Sequence, residues 1–68
     1  MTLSAILQPA EEGGYTAFNP ETGTTTQGET IDEALSHLQE ATELYLEEFP
    51  GPVRGRALMT SFEVPAYA

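Results

Sequence analysis

Three acids stand where a short stretch of chain turns into a helix: Glu29, Asp32 and Glu33. Carboxylates grouped this way are the raw material of a magnesium site, which needs oxygen ligands converging in near-octahedral geometry. Here the spacing argues against it. Asp32 and Glu33 are neighbours on a helix and diverge, and Thr30 with Glu33 three residues later forms a capping box. In such a box each side chain satisfies a backbone N–H at the open helix end. Both acids also lie where the helix dipole favours negative charge. The capping pair Thr30 and Glu33 is therefore structural, and no metal is expected. His37 is the single histidine. It lies off the apolar stripe of its helix and has no nucleophile or second ligand at useful spacing, so it reads as an exposed helix residue. Glycine-rich phosphate loops, Ser/His/Asp arrangements and paired-acid sites are all missing. No catalytic residue and no cofactor is expected, and the chain reads as a binding module rather than an enzyme.

Charge narrows the partners. Eleven acids face two arginines, Arg54 and Arg56, for a formal charge of −9. Nucleic-acid binding depends on Lys and Arg neutralising phosphates, so direct contact with DNA or RNA is not expected, nor is docking to an anionic membrane. A strongly acidic domain suits a basic protein partner, because opposite potentials speed encounter. Acidity that merely keeps a small protein soluble is the plain alternative. The acids Glu40, Glu43, Glu47 and Glu48 share the polar side of the helix, as a wet face or as a surface for that partner.

The elements that must position these residues follow from pattern. The 68 residues make a single domain, 1–68, with one small core. A chain this short buries only about 60% of its unfolded surface, so its stability margin is thin. With no cysteine, neither a disulfide nor a thiolate metal site staples it. Such domains often gain stability by association. No signal-peptide pattern opens the chain and no apolar run approaches the ~20 residues of a membrane span, so a cytoplasmic protein is expected.

Leu3 to Leu7 alternates as a first strand, and Glu11-Glu12-Gly13-Gly14 is a turn. Tyr15 to Phe18 has the aromatic and β-branched content of a second strand. Asn19-Pro20 opens another turn with Gly23 available for its left-handed position. Thr24 to Gln27 is a polar third strand at or near an edge. Ile31, Ala34, Leu35, Leu38, Thr42, Tyr45 and Phe49 recur at spacings of three and four, one face of a helix that Pro50-Gly51-Pro52 ends. Ala57 to Val64 alternates again as a last strand. The fold class is α+β in the order β-β-β-α-β, an antiparallel meander with one helix on one face.

A single helix covers only one face of a sheet, yet apolar residues point both ways in strands 1, 2 and 4. A sheet with one wet face alternates more cleanly. The helix-free face, or a strand edge, is therefore expected to be buried in an assembly. The candidate contacts are Ile6, Tyr15, Phe18, Thr24, Thr25, Thr26 and Met59. Aromatics are enriched at interfaces, and edge strands template pairing with another chain.

The run Gly13-Gly14-Tyr15, then Asn19-Pro20-Glu21-Thr22-Gly23, then Gln27-Gly28-Glu29-Thr30-Ile31-Asp32-Glu33-Ala34 resembles the N-terminal domain of HicB antitoxins. The resemblance covers roughly residues 3 to 49. It implies a pared-down ribonuclease H-like core without catalytic carboxylates. It also implies a partner: HicA toxins, small basic proteins that degrade messenger RNA with a histidine and are masked by the antitoxin. Two features depart from the family. The Glu21-Thr22-Gly23-Thr24 turn is shorter and more polar, and the DNA-binding segment typical of HicB proteins is not expected within these residues. The alternative expectation is a stand-alone homo-oligomer with a structural or regulatory role.

Overall fold

The computed structural model describes residues 1–53 and 55–66. Three strands and one helix follow in order: β1 (Ile6–Pro9), β2 (Tyr15–Asn19), β3 (Thr24–Gly28) and α1 (Ile31–Glu48). The strands form an antiparallel meander, β1-β2-β3, so β2 is central and both others are edges. The fold is α+β.

Both hairpins are closed by the turns that the glycines predict. Ala10 N–H donates to Gly14 O at 3.0 Å and Gly13 N–H to Ala10 O at 3.1 Å, closing β1 onto β2. Gly23, at φ 80°, closes the second hairpin with its N–H donating to Asn19 O. The first turn also moves β1 from its expected place. Ladder pairing runs from Ile6↔Phe18 to Pro9↔Tyr15, so the strand occupies Ile6–Pro9 rather than Leu3–Leu7. An edge strand tolerates its proline, while Ser4 is drawn off the ladder into side-chain hydrogen bonds described below.

Two glycines bring the elements together. Gly14 has φ 76°, and a Cβ there would lie 2.6 Å from Gly28 O. A Cβ at Gly28 would in turn lie 2.8 Å from Ala34 Cα in the first turn of α1. Stripped of side chains at this corner, β2, β3 and the helix start approach closely. The core beneath is correspondingly small: Ala17, Ala34 and Leu38 are buried, with Leu7 and Tyr15 packed against them.

Thr30 caps α1 as predicted, its Oγ1 accepting from Glu33 N–H at 3.1 Å. Glu33 Oε1 reaches back to the N–H of Glu29, one residue before the cap, at 3.0 Å. The helix lies chiefly over β3, then β2, and barely reaches β1. At 1.5 Å per residue its 18 residues span about 27 Å, against about 17 Å for a five-residue strand. It therefore overhangs the sheet. Of the stripe expected to face the core, Ala34, Leu38 and Thr42 are buried, whereas Ile31, Leu35, Tyr45 and Phe49 are exposed. Tyr45 and Phe49 pack on each other across one helical turn, ring centroids 5.1 Å apart.

The expected last strand is the main correction. Ala57 to Val64 forms no ladder with the sheet, and Leu58, Met59, Phe62 and Val64 are 70% or more exposed. Alternation supplied strand character but no neighbour: the segment leaves the fold at Ala57, and among the described residues it stands uncovered.

Two substitutions test this packing. Gly28→Ala is expected to lower stability by about 2 kcal/mol in denaturant unfolding, since the new methyl meets helix backbone that cannot retreat. Thr42 Oγ1 is buried without a hydrogen-bond partner. Thr42→Val is expected to raise stability by about 1 kcal/mol in the same assay, because it removes that unpaired hydroxyl at nearly constant shape.

Candidate interaction surface

Pleating sorts the expected contact residues onto opposite sides of the sheet. Ile6, Phe18 and Thr25 stand opposite one another across the three strands, and all lie on the helix-free face. Phe18 is 38% exposed there. The next row on this face is Gln8, Thr16 and Gln27. One aromatic and one isoleucine thus sit amid threonines and glutamines, with no charged residue in either row.

The remaining candidates are placed elsewhere. Tyr15 faces the helix and packs against the buried cluster. Thr26 also faces the helix, its Oγ1 donating to Ala34 O at 3.0 Å, which fastens β3 to the first turns of α1. Thr24 Oγ1 lies 2.7 Å from Thr22 Oγ1 in the second hairpin turn. Met59 is in the C-terminal segment, 73% exposed. His37 is exposed, and its Nδ1–H donates to Gln27 O at 2.7 Å, pinning the helix to β3. Arg56 is exposed, while Arg54, expected beside it in a solvated loop, lies outside the described residues.

Sequence reasoning passed over the residues that organise the opposite end of the sheet. Asn19 is 1% exposed and uses both ends of its amide. Oδ1 accepts from Thr22 N–H at 2.8 Å, forming the turn, and from the Thr22 hydroxyl. Nδ2 donates to Ser4 O at 2.7 Å and to Glu21 Oε1 at 2.8 Å. Glu21 completes the knot: Oε1 accepts from Ser4 N–H and Oε2 from Ala57 N–H, both at 2.6 Å. The Ser4 hydroxyl also donates to Ala57 O at 3.4 Å. One carboxylate thus joins the N-terminal segment, the β2–β3 turn and the C-terminal segment. The backbone N–H groups of Ser4 and Ala57 lower the Glu21 pKa from 4.5 to about 2. An Asn two residues before a Glu across a proline is a turn signal in sequence, and only the fold reveals what the two side chains hold.

Along the outer side of α1, Glu40, Glu43, Glu47 and Glu48 are all exposed, and the last turn contains no basic residue. Among the described residues, no group of three His, Asp or Glu side chains is placed to hold a metal ion, and no helix is long and apolar enough to cross a membrane.

Comparison with known proteins adds relatives. Two UPF0150 proteins of Synechocystis sp. are 47% and 42% identical over 47 and 45 residues, 68% and 65% of this chain. A UPF0150 protein of Helicobacter pylori is 43% identical over 47 residues, 68% of the chain. Its relatives are UPF0150 proteins. The aligned stretch spans 65%, 57% and 64% of those three proteins, less than two thirds of each. No family model and no solved structure matches the chain.

The Glu21 clamp makes a pH prediction with a definite sign. The folded-state pKa lies below the ordinary value, so the stabilisation is complete above about pH 4.5 and fades as pH falls toward 2. Hydrogen exchange read by NMR should show the Ser4 and Ala57 amides protected near neutral pH and losing protection through that window. In Glu21→Gln the Ala57 amide should exchange fast at every pH while the helix amides keep their protection.

Proposed function

We propose that this chain is a HicB-like antitoxin-type binding module, one that inhibits a small basic RNA-cleaving toxin by covering its RNA-binding surface. The exposed acidic side of α1 carries the reading. Glu40, Glu43, Glu47 and Glu48 present a run of negative charge on a chain of net charge −9. Such a surface competes for the places where phosphates would sit on a basic protein. Two further features support it. The helix-free face offers Phe18 and Ile6 without opposing charge, an apolar centre of the kind that anchors interfaces. The edge strand β3, polar and uncharged, is open to a partner strand. Inhibition by occlusion also needs no catalytic group on the inhibitor.

A stand-alone homo-oligomer is the second reading, favoured by the uncovered C-terminal segment with Leu58 91% and Phe62 86% exposed.

The test is affinity capture of the tagged chain from its native cells, with masses of the recovered complex measured intact. A small, basic, stoichiometric partner is expected. Alone, that partner should cleave RNA, and added chain should suppress the cleavage in a salt-sensitive way. Recovery of copies of this chain alone would overturn the toxin reading. With a partner in hand, Phe18→Asp or Thr25→Pro should weaken binding more than Glu43→Lys if the sheet makes the contact, and less if the helix does. Circular dichroism confirms that each variant still folds.

A further inference from the structure

The chain carries two incomplete structures that match each other. The first is β1, an edge strand with a neighbour on one side only. Its sequence, Ile6-Leu7-Gln8-Pro9, bears no charge. Because α1 sits over β3 and β2, a groove is left between the helix and the segment leading into β1, with Leu3, Leu35, Leu38 and Leu46 in its lining beside polar Gln39 and Glu43. The second is Ala57 to Val64, an alternating segment whose one charged residue is Glu63 and whose large side chains are uncovered. Strand edges without neighbours and apolar segments without cover are each unstable in water.

The shape of the molecule measures what is missing. Its accessible surface is 5748 Å², whereas a compact monomer of 7.4 kDa exposes about 4200 Å². Its radius of gyration is 14.1 Å, against about 11 Å for a compact chain of this length. The excess surface is about 1500 Å² per chain, or about 3000 Å² for two. Obligate homodimers bury roughly 2000–5000 Å².

We propose that Ala57 to Val64 of one copy pairs along the free edge of β1 of a second copy, reciprocally, giving a two-fold strand-exchanged dimer. The root of the donated segment is already fixed in the right place. Glu21 and Ser4 hold Ala57 two residues before the start of β1, so the donated segment departs from the end of the sheet at which β1 begins. Added to β1, it makes a four-stranded sheet and lays Leu58, Phe62 and Val64 toward exposed Leu35 and half-buried Leu3 and Leu46. A two-fold exchange satisfies both copies at once and leaves no donor free to continue into a fibre. The contact also concentrates on the least charged part of a chain of net charge −9, where like-charge repulsion is weakest. This deepens the homo-oligomeric reading and is independent of any toxin.

Native mass spectrometry and sedimentation of the full chain are expected to show a dimer at micromolar concentration. The double variant Leu58→Asp/Phe62→Asp should weaken it at least ~100-fold, the effect of losing two buried apolar side chains. A second measurement does not depend on those variants folding. The chain has no cysteine, so single variants Gln8→Cys and Ser61→Cys can be mixed and treated with a short thiol cross-linker. Heterodimers joining the two variants are expected well above the yield of either variant alone. A monomer at all concentrations would overturn both strand exchange and self-association. A dimer that keeps its strength in the tail variant, or a Gln8→Cys/Ser61→Cys chain that cross-links only within itself, would overturn strand exchange alone.

Discussion

One carboxylate holds together the parts of this fold that the sheet and helix do not. Glu21 accepts the backbone N–H groups of Ser4 and Ala57, residues 53 positions apart, and is steadied by the Asn19 amide. Beside it, the Ser4 hydroxyl on Ala57 O, a longer contact at 3.4 Å, ties the two terminal segments to each other, and the buried cluster of Ala17, Ala34 and Leu38 is drawn from the sheet and helix. A core this small leaves polar contacts to decide where the chain ends go. The arrangement is self-consistent: Asn19 forms the turn that carries Glu21, and Glu21 in turn occupies one of the two donors of Asn19.

The same economy governs the helix. Its first half is fixed by many small agreements, among them the Thr30 cap, the Glu33 reach-back, the Thr26 hydroxyl on Ala34 and the His37 ring on Gln27. Its second half runs past the sheet and leans on the Tyr45–Phe49 pair. Rigid start and overhanging end place the acidic side of the helix partly beyond the body of the domain. Glu47 and Glu48 therefore stand exposed at the overhanging end of the helix.

Much of this was legible in the residues, for identifiable reasons. Glycine turns, a capping box and helical periodicity are local, and they predicted β2, β3 and α1 closely. Alternation is weaker, because it states that a segment can be a strand without saying what lies beside it. That is why β1 begins at Ile6 rather than Leu3, and why Ala57 to Val64 has strand-like sequence and no ladder. Parity also decides more than type. Phe18 and Tyr15 look alike as interface anchors, yet three residues apart on a strand they face opposite ways, and only Phe18 reaches the helix-free side. The Asn19–Glu21 knot was invisible for a different reason: its partners are backbone groups from distant segments, which no side-chain pattern announces.

The close approach at Gly14 and Gly28 has a consequence for the history open to such chains. A side chain at Gly28 would strike the helix start, and one at Gly14 would strike Gly28 itself. Relief at one position does not make room at the other, so neither can drift alone while β2, β3 and α1 keep their distances. Descendants of this fold can exchange nearly every acid and threonine on its surface more freely than these two absent side chains.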